Sequence, residues 1–300
     1  MSGIGKHRLY ILAAAFLWGG TGVYFKELSA LGAQPMQVVL IRVSIASLGL
    51  GAWLLCKDRG AFKIRLKDLW CFIGTGLVSL LLFNWAYFSA INEVGIAVAG
   101  VLLYTAPAFV TVMSAFLFKE KLKLPGWCLL APILLGCALV SGMAGRAYGI
   151  STVGVLYGLG SGFGYALYSI FSRCSLIRGY SPQTISFYTF AFCAIGCIPM
   201  AASGAGPGLA ELAAIPAVWP YALALGTFGC LFPYWLYTRG LSGVTGATAS
   251  MTATLEPVIA ALFGVLLYRE ALTLWQASGM ALILGSIILL AKMKSADKPL

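Results

Sequence analysis

The chain has 300 residues, 60% of them hydrophobic and only 10% charged, and its mean hydropathy is +0.92. A soluble domain carries roughly 25% charged residues, so a water-facing globule is excluded and the expected solvent is lipid, where about 20 apolar residues in a helix cross the hydrocarbon core. The formal net charge of +11 sits in short connections between apolar runs, a pattern that orients a membrane protein and does not suggest nucleic-acid binding.

Ten helical spans are predicted, at residues 9–28, 35–56, 69–91, 95–118, 124–142, 152–173, 182–202, 217–239, 244–268 and 272–292. The first is span-length and runs on into further spans, so it does not read as a cleavable signal. His7, between Lys6 and Arg8, reads as a solvated flank. The connections are short and hold no soluble domain; the longest is the Gly/Pro-rich stretch 203–216. Gly158, Gly160, Gly162 and Gly164 place small residues on two faces of the sixth span, where helix backbones approach closely in membranes. Eight cysteines are scattered without a CxxC pair. Cys193 and Cys197 share a helix face but lack a nearby histidine or acid, so they read as buried core, and no metal or other cofactor is expected.

With the N-terminus inside, the inner connections hold most of the Lys and Arg, leaving Lys26, Arg146 and Arg269 outside and Arg42 within a span. This bias places both termini in the cytoplasm, in a bacterial inner membrane.

The chain also repeats itself. A shift of 150 residues lays Gly76, Trp85, Tyr87, Pro107 and Glu120 on Gly226, Trp235, Tyr237, Pro257 and Glu270; near the start, a shift of 147 lays Lys26 on Arg173 and Pro35 on Pro182. Each half, 8–142 and 152–292, therefore contributes five spans. Five is odd, so the second half enters the membrane inverted, an architecture of transporters with the substrate site between the repeats. The fold class is all-α integral membrane: ten transmembrane helices as two inverted five-helix repeats around a central cavity.

The Trp18-Gly19 pair, Arg42, Pro107 with Phe118-Lys119-Glu120, and Leu255-Glu256-Pro257 closed by Tyr268-Arg269-Glu270 together resemble the EamA family of the drug/metabolite transporter superfamily over nearly the whole chain. The resemblance implies ten helices, a central cavity and, usually, export of amino acids or related metabolites; some relatives export aromatic amino acids, others threonine or homoserine.

Within the spans, proline inside a helix removes a hydrogen bond and exposes the carbonyl four residues earlier. Pro107 would free Leu103 and Pro257 would free Ala253, at matching positions that point to a binding or gating site. A packing kink is the bland alternative. An ionisable side chain at the bilayer centre costs about 2.5–3.5 kcal/mol on insertion scales, so Arg42 and Glu256 should face the interior, at similar depths. They would either pair with each other or share a substrate, Arg42 taking a carboxylate and Glu256 an ammonium or a proton. Trp18, Tyr104, Tyr165, Tyr168 and Trp235 are candidate cavity-lining aromatics, with Asn84 a further polar candidate. Glu120 and Glu270, at span ends, read as solvated or cap-like.

The leading reading is a secondary transporter, an exporter of small metabolites such as amino acids. Its partners would be a small-molecule substrate, the lipid bilayer and a coupling ion, with protons as the candidate; a monomer would suffice. There is no GxxxxGK[ST] motif, and one lone histidine with one deep carboxylate supplies no enzyme's constellation. The alternative is a non-transporting membrane receptor or scaffold.

Overall fold

A computed structural model of the chain describes residues 3–120, 124–142, 151–203, 207–269 and 271–292. The first half runs α1 (Gly3–Gly19), α2 (Thr21–Ala30), α3 (Pro35–Lys57), two 3-10 turns (Arg59–Phe62 and Leu66–Asp68), α4 (Leu69–Ile73), a π-helical segment (Gly74–Leu81), α5 (Leu82–Leu103), α6 (Ala106–Phe118), α7 (Leu124–Cys128) and α8 (Leu130–Val140). The second runs α9 (Thr152–Ile177), α10 (Pro182–Ala202), α11 (Leu209–Ala213), α12 (Val218–Ala224), a second π-helical segment (Leu225–Leu231), α13 (Phe232–Leu241), α14 (Gly246–Ala253), α15 (Leu255–Tyr268) and α16 (Leu274–Lys292). The described residues form no strand.

Among the described residues, six helical stretches are long and apolar enough to cross a membrane: 5–30, 35–57, 66–103, 182–202, 246–268 and 274–292. The 66–103 stretch is one continuous helix only in name. At Gly95 the backbone leaves the helical region, with φ 78° and ψ 165°, a conformation that glycine adopts without a Cβ penalty. Helix starts follow local chemistry. Pro35 and Pro182 open α3 and α10 with a fixed φ. The Ser181 hydroxyl accepts the Thr184 N–H at 3.1 Å and the Thr245 hydroxyl accepts the Thr248 N–H at 3.2 Å. The two halves end corresponding helices alike: Lys119 after α6 and Arg269 after α15 both take the left-handed conformation, at φ 53° and 54°.

The halves do not have separate cores. The central core joins Ile11, Val43 and Leu80 of the first half to Phe190, Cys230 and Leu241 of the second. A second core is built where α8 meets α16. There the contact is backbone to backbone: a methyl group on Gly136 would fall 2.8 Å from the Gly279 carbonyl, and one on Gly279 would fall 2.7 Å from the Gly136 carbonyl. The π-helical segments make a matched pair of crossings. Gly226 lies against the Arg42 carbonyl and Ile45 of α3, while Gly76 lies against the Thr189 carbonyl and Phe192 of α10. Arg42 and Ile45 are the residues that a shift of 147 lays on Thr189 and Phe192.

Several expectations need correction. His7 is packed, not merely solvated: its Nδ1 is 3.0 Å from the Arg239 carbonyl oxygen and its ring covers Gly243. Glu120 is cap-like as expected but not solvated, and Arg173 is not a loop charge; both side chains are buried. Of the α9 glycines, Gly158 and Gly162 seat Leu102 and Thr105, and Gly164 seats the Phe83 backbone, but nothing approaches Gly160. Stretch 203–216 holds the short helix α11. Cys193 and Cys197 are buried, with sulfurs 3.8 Å apart. Glu270 lies outside the described residues.

Candidate functional site

Two broken helices organise the interior. α5 stops at Leu103, the chain turns through Tyr104 and Thr105, and α6 resumes with Pro107 in its first turn. α14 stops at Ala253, Thr254 intervenes, and α15 resumes with Pro257 in its first turn. Both prolines are buried. Each break is stitched by a threonine: the Thr105 hydroxyl donates to the Leu102 carbonyl and the Thr254 hydroxyl to the Met251 carbonyl, both at 2.6 Å. Such side-chain bonds satisfy backbone acceptors that the interruption frees.

The first helix of each half clasps the broken helix of the other. A methyl group on Gly19 of α1 would fall 2.5 Å from Ile259 Cβ and 2.9 Å from the Glu256 carbonyl. One on Gly162 of α9 would fall 2.6 Å from the Thr105 hydroxyl and 3.1 Å from the Leu103 carbonyl. The Leu103 carbonyl that Pro107 frees is thus turned toward α9. Gly19 has a physical reason to be glycine: any side chain would strike the α15 break.

The polar groups lie around these breaks. The Arg42 Nη2 donates to Asn84 Oδ1 at 2.6 Å, and the Asn84 amide nitrogen donates to the Leu80 carbonyl in the π-helical segment at 2.7 Å. Asn84 is therefore held on its own helix with its oxygen presented to the guanidinium. The Arg42 Nε is buried and has no hydrogen-bond partner. Among the described residues Glu256 has neither an ion pair nor a hydrogen bond to its side chain, so Arg42 and Glu256 do not pair with each other. Tyr87, Tyr104 and Tyr165 lie within electrostatic reach of the Glu256 carboxylate, as does Arg42. These five side chains are half-buried and make one wall of the proposed site.

Next to this wall the bundle is solid. Trp18 packs edge-on to Tyr165 at 6.2 Å and to Tyr234 at 5.1 Å, and Tyr168 packs edge-on to Tyr234 at 5.0 Å. Tyr168 bonds Thr238 at 2.6 Å and Tyr237 bonds Ser169 at 2.7 Å. Trp18 and Tyr168 are therefore buried parts of a packed aromatic plug. Trp235 stands apart, with its ring under the Arg239 guanidinium at 5.5 Å and its Nε1 buried without a partner.

Beyond the plug lies a group that sequence reasoning missed. The Arg173 Nη2 meets Glu120 Oε1 at 2.9 Å, and its Nη1 donates to the Leu241 and Val244 carbonyls at 2.9 and 2.8 Å. Glu120 Oε2 accepts the Gly246 N–H at the start of α14, at 3.0 Å. One ion pair thus ties the end of α6 in the first half to α9, α13 and α14 of the second. The repeat carried the signal: it lays Lys26 on Arg173 and Glu120 on Glu270, opposite charges at span ends in both halves.

Apolar helices long enough to cross a membrane, two of them broken at matching positions, fit a class: a multi-pass membrane transporter. The chain belongs to the EamA-like transporter family, whose sequence profile matches residues 6–142 and again 152–292. It is 26% identical over 303 residues to a Bacillus subtilis protein named "Uncharacterized transporter YwfM", with 97% of each chain covered. It is 27% identical to the Salmonella typhimurium "Uncharacterized inner membrane transporter YicL", covering 95% of each chain. It is 29% identical to an "Uncharacterized transporter" of Archaeoglobus fulgidus, over 71% of this chain and 75% of that one. A solved crystal structure shares the fold at a TM-score of 0.82 and 18% identity, covering 97% of this chain and 99% of the other.

Proposed function

We propose that this protein is a secondary transporter that exports small metabolites carrying both a carboxylate and an ammonium group, such as amino acids, by alternating access between two inverted five-helix repeats. In this reading the chain makes ten spans, with both termini cytoplasmic. The halves of α5 on either side of Gly95 belong to the third and fourth spans, and α9, rich in glycine and hydroxyls, is the sixth.

The observation that carries the reading is the pair of ionisable side chains without each other. Arg42 keeps an unsatisfied Nε and Glu256 an unpartnered carboxylate on one aromatic-walled space. A zwitterion would satisfy both, its carboxylate on the guanidinium that Asn84 holds in place and its ammonium on Glu256, with Tyr87, Tyr104 and Tyr165 as apolar walls bearing hydroxyls. The Arg173–Glu120 tie and the aromatic plug would close the cytoplasmic side of this state, leaving the space to open outward. Their release would open the other side, with the breaks before Pro107 and Pro257 absorbing the change. Glu256 is also the group to carry a coupling proton.

Counterflow of labelled amino acids in proteoliposomes tests the proposal. Saturable exchange that Arg42→Gln and Glu256→Gln weaken in folded protein is the expected result. Absence of saturable flux across a broad set of zwitterionic metabolites would overturn it.

A further inference from the structure

We propose that the connection between α3 and α4 is a binding ledge for anionic phospholipid headgroups. Lys57 ends α3 and Leu69 begins α4, two lipid-adapted helices, so the intervening segment is held at the membrane surface. Lys57, Arg59, Lys63, Arg65 and Lys67 are all exposed. The ammonium groups of Lys57, Lys63 and Lys67 have no ion pair or hydrogen bond among the described residues. The segment carries two acids. Asp58 is exposed, but Asp68 is buried and already committed: it takes the Arg65 Nε at 2.7 Å, the Arg178 Nε at 3.2 Å and the Tyr180 hydroxyl at 2.8 Å.

The ledge is also built, not slack. Its first 3-10 turn buries Ala61, and Phe62 packs edge-on to Phe187 at 5.0 Å. The Tyr188 hydroxyl donates to the Phe62 carbonyl at 2.8 Å, and the Arg65 N–H donates to the Tyr180 hydroxyl at 3.1 Å. The backing residues Arg178, Tyr180, Phe187 and Tyr188 all come from the second half, so the cations face outward from a braced surface. Between them Leu66 is 85% exposed and Trp70 45% exposed. Cations at a span end attract anionic lipid, and an exposed leucine and tryptophan at that depth suit acyl chains and the interface. Those two side chains commit the ledge to a lipid over a soluble phosphate or nucleic acid, which would meet no apolar partner.

Native mass spectrometry of the purified full chain tests this, with phosphatidylglycerol, phosphatidylcholine and inorganic phosphate offered separately. The wild type should retain phosphatidylglycerol in preference to phosphatidylcholine. The Lys57→Gln/Lys63→Gln/Lys67→Gln variant should lose that preference by at least about tenfold, at roughly fivefold per cation. Leu66→Ser, which keeps every charge and with it the topology signal, should weaken phosphatidylglycerol retention but leave inorganic phosphate unchanged. Lys6→Gln/Lys292→Gln, on other elements, should change nothing. Equal retention of the two lipids by the wild type, an undiminished preference in the triple variant, or an equal loss in the Lys6/Lys292 control would each overturn the proposal. Inorganic phosphate bound as tightly as phosphatidylglycerol would overturn it in favour of a free anion.

Discussion

Two sets of buried charges in this bundle are handled in opposite ways. Glu120 and Arg173 are satisfied on several sides, by each other and by the backbone at Leu241, Val244 and Gly246. Arg42 has one partner, Asn84, and Glu256 has none among the described residues. A membrane protein tolerates an ionised group at depth when partners compensate for its desolvation. The first set is compensated by the fold and holds the halves together. The second is not compensated in this way, which is what the proposed transport site requires.

The comparison breaks most visibly if the first set proves dispensable. Glu120→Gln removes the carboxylate that faces the Arg173 guanidinium in the interior, and removing one partner of a buried pair costs about 3–5 kcal/mol. A large fall in the melting temperature of the detergent-purified protein is expected, with Glu256→Gln leaving melting unchanged. Equal effects would erase the distinction between the sets. Next in size is the loss of binding in the open set. Arg42→Gln removes a charged hydrogen bond worth about 1.5–3 kcal/mol, so substrate affinity in counterflow should fall between ~10-fold and ~100-fold while the protein stays folded. Asn84→Ala, which frees the guanidinium to swing, should cost less, and a loss larger than that of Arg42→Gln would make Asn84 the direct ligand.

Smaller still is overpacking where α8 meets α16. Gly136→Ala puts a methyl group 2.8 Å from the Gly279 carbonyl and should cost about 1–3 kcal/mol, read as a melting shift with substrate affinity intact. The smallest effect concerns Asp68, which lies on the surface ledge just before α4 and the predicted third span at 69–91. Its hydrogen bond from Tyr180, followed by Arg65 and Arg178, holds its carboxyl below the ordinary carboxylate value. Such a group contributes stability that is present above the ordinary value and is lost as pH falls through the depressed one. Melting should therefore weaken on acidification in the wild type, and Asp68→Asn should flatten that limb; an unchanged limb would remove Asp68 from the bracing of the ledge.

Much of this was legible beforehand. The apolar runs gave the all-helical membrane class and the matching prolines gave both breaks, because span length and proline geometry act locally. α9 reads as a less apolar helix than its neighbours because its buried face is shared with other helices; Ser161, Ser169, Ser172 and Ser175 can be buried there without meeting lipid. The π-helical segments left no trace, since hydropathy does not separate them from an α-helix in a stretch where every residue is apolar or small. Arg173 looked like a flank charge because it stands near a span end; only the approach of α13 and α14 from later in the chain buries it. The packing of Trp18 and Tyr168 is hidden for a similar reason: an aromatic in mid-span has the same sequence signature whether it lines a space or fills one.

Site-directed thiol labelling puts the contrast to its most direct trial. In a background with the eight native cysteines replaced, Tyr104→Cys on the wall and Thr238→Cys in the plug would be treated with a membrane-impermeant reagent from each face in turn. The account predicts that Tyr104→Cys reacts from the external face, that Thr238→Cys is protected from both, and that adding Glu120→Gln exposes Thr238→Cys to the cytoplasmic face. Reaction of both positions from the same face, unaffected by Glu120→Gln, would contradict it.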